Sequence, residues 1–76
     1  MWYYDTKIGR FSIRPDPGKP DNWLLSIDGV ELGSYASPEL AASDVSRQAT
    51  GWDEWDMIED ITPPTDLDSW VAGKPD

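Results

Sequence analysis

Trp23-Leu24-Leu25-Ser26-Ile27-Asp28-Gly29-Val30-Glu31-Leu32-Gly33-Ser34-Tyr35 reads as two strands joined by a two-residue turn. Asp-Gly between apolar runs is a strong short-range hairpin signal, because both turn residues must take positive φ. If Asp28 and Gly29 are the whole loop, Ile27 faces Val30, Leu25 faces Leu32 and Trp23 faces Ser34. The apolar residues Trp23, Leu25, Ile27, Val30 and Leu32 then share one face.

Upstream, Trp2 to Thr6 and Arg10 to Arg14 form a second hairpin around Lys7-Ile8-Gly9. Phe11 and Ile13 alternate with Arg10, Ser12 and Arg14, so this strand has an apolar and a basic face. An even loop puts Trp2 and Tyr4 on the Phe11 face, whereas a three-residue loop puts Tyr3 there. The intervening Pro15-Asp16-Pro17-Gly18-Lys19-Pro20-Asp21 cannot extend a ladder, since its prolines have no N–H to donate.

Downstream, Ser37-Pro38-Glu39 starts a helix: a capping hydroxyl, a proline suited to the first helical position, and an acid at the positive end of the dipole. Gly51 is the expected stop. Ala41, Ala42, Val45 and Ala49 recur at helical spacing with little bulk, which allows close packing on the sheet and leaves no large groove beneath.

Past the helix the composition changes. Asp53, Glu54, Asp56, Glu59, Asp60, Asp66, Asp68 and Asp76 are opposed there only by Lys74, which places seven of the nine excess negative charges between Gly51 and Asp76. Acid-rich segments stay solvated when they cannot bury enough apolar surface to offset chain entropy. Trp52, Trp55 and Trp70 argue the other way: a buried indole removes roughly 150–250 Å² from water, an upper bound of about 4–6 kcal/mol each. The segment is therefore expected to be an acidic strap pinned to the body by its tryptophans. Pro63-Pro64 break it, and Asp66 to Val71 has room for one short helical turn.

The expected fold is α+β: a four-stranded antiparallel meander, with three strands as the alternative, packed by one helix and closed by the strap. Residues 1–76 form a single domain, 1–51 its sheet-and-helix core and 52–76 the strap. The chain has no cysteine and no histidine, which removes disulfides, thiolate metal sites, the usual proton shuttle and the thiolate nucleophile. No apolar run approaches the length of a membrane span, and the N-terminus has neither the basic nor the apolar region of a signal peptide. A soluble, cytoplasmic monomer is expected.

Several motifs together, Gly9-x-Phe11-x-Ile13-x-Pro15, Trp23-x-Leu25, Leu32-Gly33-Ser34-Tyr35-x-Ser37-Pro38-Glu39 followed by Ala41-Ala42 and Asp44-Val45, and Thr50-Gly51-Trp52 with Trp55-Asp56, resemble a pattern shared by a group of small bacterial proteins to which no activity is attached. The likeness covers most of residues 2–56, and more loosely Leu67 to Trp70. It implies a compact stand-alone domain and transfers no functional residue. A weaker likeness is to small DNA-binding modules of a three-stranded sheet and a helix. Such a reader needs basic residues along its exposed face, and a net charge of −9 with only Lys7, Arg10, Arg14 and Lys19 available opposes direct nucleic-acid binding. The same sign disfavours anionic membranes.

Three kinds of chemistry remain. Asp53 with Asp56, or Glu59 with Asp60, can act as acid and base only if burial separates their pKa values, and a core this small can hardly enclose the cleft required. The same carboxylates can attract a hard cation such as Ca²⁺, but their spacing departs from the EF-hand loop. A non-enzymatic acidic surface for a basic protein fits best, with Trp52, Asp53, Glu54, Trp55, Asp56, Glu59 and Asp60 as candidate contacts and no cofactor or metal. A mimic of nucleic acid, occupying the basic groove of a DNA- or RNA-binding protein, is the alternative. Trp52, Trp55 and Trp70 either seal the strap or stand out as contact anchors; sealing is expected, because exposed apolar patches are rare without a function. Arg10 and Arg14 are expected to meet strap carboxylates.

Overall fold

The computed structural model describes residues 1–73. Strands β1 (Trp2–Thr6), β2 (Gly9–Pro15), β3 (Trp23–Ile27) and β4 (Val30–Tyr35) are followed by helix α1 (Pro38–Ser46), a single turn of helix α2 (Asp53–Asp56), a 3-10 turn at Leu67–Ser69 and the two-residue strand β5 (Val71–Ala72). The sheet is antiparallel with order β4-β3-β2-β1-β5, so the expected meander is present and the strap adds a fifth strand at its edge.

Only Lys7 and Ile8 lie between the paired residues Thr6 and Gly9, which makes the first loop even and sets Tyr4 opposite Phe11 and Trp2 opposite Ile13. Gly9 belongs to the strand rather than the turn. Its φ is +144°, and a Cβ there would press into the Asp28 carboxylate, which accepts the Arg10 backbone N–H at 3.0 Å. Asp28 thus ties the two hairpin ends together. Gly9→Ala is expected to cost roughly 1–3 kcal/mol, from backbone strain and displacement of that carboxylate. Urea unfolding measures it, and an unchanged midpoint would reject the account.

The second hairpin turns as expected: Asp28 and Gly29 have φ of 47° and 86°, and Ile27 pairs with Val30. Beyond Ser26–Glu31 the register slips by one residue, so Leu25 pairs with Gly33 and Trp23 with Tyr35, correcting the expected Leu25–Leu32 and Trp23–Ser34 pairs. The bulge re-aims the end of the strand. An unbroken ladder would turn Ser34 to the core and Tyr35 outward. Instead Leu32 and Tyr35 pack against the core, while the Ser34 hydroxyl donates to Asp16 Oδ2 at 2.7 Å and accepts from Asn22 Nδ2 at 3.1 Å. The Ser34 hydroxyl and the Gly18 N–H, both donating to it, hold the Asp16 carboxyl below its ordinary range. Val30, expected on the core face, is exposed at the sheet edge, and Trp23 is only half-buried, edge-on to Trp2 at 5.4 Å.

Helix α1 begins as read: Leu40 N–H donates to Ser37 Oγ at 3.2 Å, with Pro38 in the first turn. It stops well before Gly51, at a left-handed Gln48 (φ 54°), which leaves Ala49 exposed. The reason lies in the strap. Gln48 Nε2 donates to the carbonyls of Trp55 and Ile58, both at 2.8 Å, and these two bonds offset a backbone conformation costing roughly 1–2 kcal/mol. Small Ala41, Ala42 and Val45 bring the helix down onto β2, β3 and β4. Tyr35 OH donates to Asp44 Oδ2 at 2.7 Å, joining β4 to α1, and burial followed by this bond raises its pKa.

Phe11, Ile13, Leu25 and Ile27 from the sheet, Ala41, Ala42 and Val45 from α1, and Trp55, Leu67 and Trp70 from the strap form one buried cluster. The strap is therefore part of the core. Arg10 and Arg14 stand on the opposite sheet face, so the expected pairing with the strap is replaced at Arg10 by its cross-strand neighbour Asp5, with Nε to Oδ1 at 2.6 Å. Arg14 lies near Asp16, whose carboxyl it helps to hold low.

Candidate functional site

The seven candidate residues lie on and beside α2, but the turn divides them by direction. Four residues make barely more than one helical turn, with successive side chains about 100° apart, so only part of the turn can meet the sheet. Trp55 points in. It is 2 % exposed, stands edge-to-face on Phe11 at 5.0 Å and on Tyr4 at 6.0 Å, and its indole N–H donates to the Val45 carbonyl at 3.0 Å. Trp70, 5 % exposed, lies at 5.4 Å from Tyr4. Both are seals, as expected. Trp55 is thereby corrected from the set of candidate contacts, because a partner cannot reach it without unfolding the turn.

Asp56 is also committed internally. Its Oδ1 accepts from Thr50 N at 3.0 Å and Thr50 Oγ1 at 2.8 Å, and its Oδ2 accepts from Gly51 N at 2.8 Å. Thr50 Oγ1 in turn accepts from Trp52 N at 3.1 Å. This loop uses the φ of +84° at Gly51, the glycine expected to stop α1. Asp56 is therefore a positioning group for the strap and no acid–base partner for Asp53. Asp56→Ala, which orphans three donors of which Thr50 is buried, is expected to cost about 2–3 kcal/mol. Asp56→Asn keeps one oxygen for Thr50 but turns an NH₂ toward the Gly51 N–H, and should cost about half as much. Urea unfolding separates the two variants; a neutral alanine would show that the loop is held by other contacts.

What remains outward is Asp53, Glu54, Glu59 and Asp60, all exposed, with the half-buried Trp52 among them. Among the described residues none of these four carboxylates has a hydrogen bond or ion pair, in contrast to Asp5, Asp16, Asp28, Asp44 and Asp56. Trp52, Asp53, Glu54 and Gly51 line an open depression of about 300 Å³. No group of three or more carboxylates among the described residues is placed to hold a metal ion. Likewise, no described helix is long and apolar enough to cross a membrane.

Two residues important to this surface carry little signal in sequence. Gln48 and Asp56 look like ordinary polar positions, and their role appears only when α1 and α2 are set side by side. Comparisons with protein families, curated proteins and solved structures find no match.

Proposed function

We propose that this chain is a non-enzymatic interaction module that meets a basic surface on another protein through Asp53, Glu54, Glu59 and Asp60, acting as a monomer in the cytoplasm. One observation carries the reading: these carboxylates are exposed and unpaired, yet they stand on backbone held by the Gln48 bonds to Trp55 and Ile58 and by the Asp56 loop. Fixed negative charge costs little ordering entropy when a partner docks, and it accelerates encounter with a positive surface. A solvated tail of the same composition would lack the first advantage.

The test is a charge reversal at positions the core does not use. Asp53→Lys, Glu54→Lys, Glu59→Lys and Asp60→Lys together should leave the fold intact and abolish capture of the proteins that the wild type retains from a cell lysate near physiological salt. Identical capture by both would overturn the proposal. The nucleic-acid-mimic reading predicts in addition that duplex DNA releases the captured proteins.

A further inference from the structure

We propose that the depression at Gly51–Glu54 is a socket for a single guanidinium group, so that the partner engages through an arginine seated on Trp52. This rests on the acidic-surface reading and specifies its central contact. The other four tryptophans each have an aromatic neighbour: Trp2 with Trp23, and Trp55 and Trp70 with Tyr4 and Phe11. Trp52 has none among the described residues, although it packs against the core and lines the open depression.

Asp53 and Glu54, whose carboxylates are unpaired, line the depression together with Trp52, and the Gly51 position is open, with nothing within 4 Å of where a Cβ would stand. The local donors that would favour an anion are partly withdrawn, because the Gly51 and Trp52 amides already donate to Asp56 and Thr50. The positive end of a full helix amounts to only about half a unit charge. Two whole negative charges outweigh what one turn supplies. An indole flanked by carboxylates is complementary to a planar cation, which stacks on the ring while its N–H fork meets the oxygens; an ammonium can do the second but not the first.

The probes are two nine-residue Gly/Ser peptides of equal charge, one with three arginines and one with three lysines, titrated near physiological salt. The arginine peptide should bind about 5-fold more tightly. Trp52→Leu, at a position whose side chain makes no capping bond, should lower arginine-peptide affinity to the lysine level and leave the lysine peptide unchanged. In the wild type, the Trp52 indole N–H resonance should move saturably with the arginine peptide, a readout that does not depend on the variant folding. Equal affinities on the wild type, an arginine preference surviving Trp52→Leu, or a stationary Trp52 resonance would overturn the socket. Equal binding of both peptides, lost alike in Asp53→Asn/Glu54→Gln and Glu59→Gln/Asp60→Asn, would overturn the socket while keeping the acidic-surface reading. Absence of binding by either peptide would overturn both.

Discussion

Replacing Trp55 by alanine is expected to leave the chain largely unfolded in buffer. Truncating a buried tryptophan costs about 3–5 kcal/mol through lost transfer energy and the cavity left behind. A single core in a chain of 76 residues supplies only about 3–5 kcal/mol in all. The location makes the upper end apt: Trp55 touches sheet and helix at once, stacking edge-on against Phe11 and Tyr4 while its N–H reaches the Val45 carbonyl. Trp55→Phe retains an aromatic ring there and loses one hydrogen bond and some volume, for about 1–2 kcal/mol. Far-UV circular dichroism and urea unfolding distinguish the three proteins. An alanine variant with the wild-type midpoint would mean that this ring is not part of the core.

The second large effect is expected from removing the end of the strap. A chain stopped after Asp66 lacks Leu67 and Trp70, both buried, together with β5, whose Val71 and Ala72 pair with Tyr3 and Trp2. Tyr4 and Phe11 then lose the Trp70 ring packed against them, and β1 becomes a bare sheet edge, open to pairing with other chains. Amide exchange should show lost protection at Trp2 and Tyr3 and a marginal or molten remainder. Trp70→Ala alone should account for about 3–5 kcal/mol of this. Trp70→Phe should be milder, because the Trp70 indole N–H meets no acceptor among the described residues and nothing is lost with it. A truncated chain with unaltered protection in β1 would make the strap an appendage and remove the rigid backbone from under the proposed surface.

Both results bear on the function, since Trp55 and Asp53 are two residues apart. The indole that holds the turn against the sheet also fixes where the outward carboxylates stand. A variant that loosens Trp55 should therefore weaken partner binding even though no partner touches it. Charge changes at Asp53 or Glu54 should do the reverse, altering binding with little effect on stability, because exposed unpaired charges contribute little to folding.

Much of the candidate site was ambiguous in sequence for a physical reason. Trp52 and Trp55 have similar acidic flanks and similar propensities, yet one lines a surface depression and the other fills the core. Asp53 and Asp56 differ as sharply, one unpaired and one holding three donors. Each pair is only three positions apart, a spacing that on a helix shares a face, so the difference comes from partners outside α2, Val45 for Trp55 and Thr50 and Gly51 for Asp56, which local composition does not reveal.

From its sequence alone this chain determines what neighbouring residues can settle among themselves. The Asp28-Gly29 turn follows from two residues that tolerate positive φ, and the cap at Ser37 from a hydroxyl next to free amides. The alternation through Phe11 and Ile13 likewise implies one buried face. Only the tertiary structure decided the bulge before Tyr35, the early end of α1 at Gln48, and the inward turn of Trp55. In each case the deciding partner lies outside the element concerned: Asp16 for Ser34, the Trp55 and Ile58 carbonyls for Gln48, Val45 and Phe11 for Trp55. Such contacts set energies of about 1 kcal/mol each, enough to override local preferences of a few tenths.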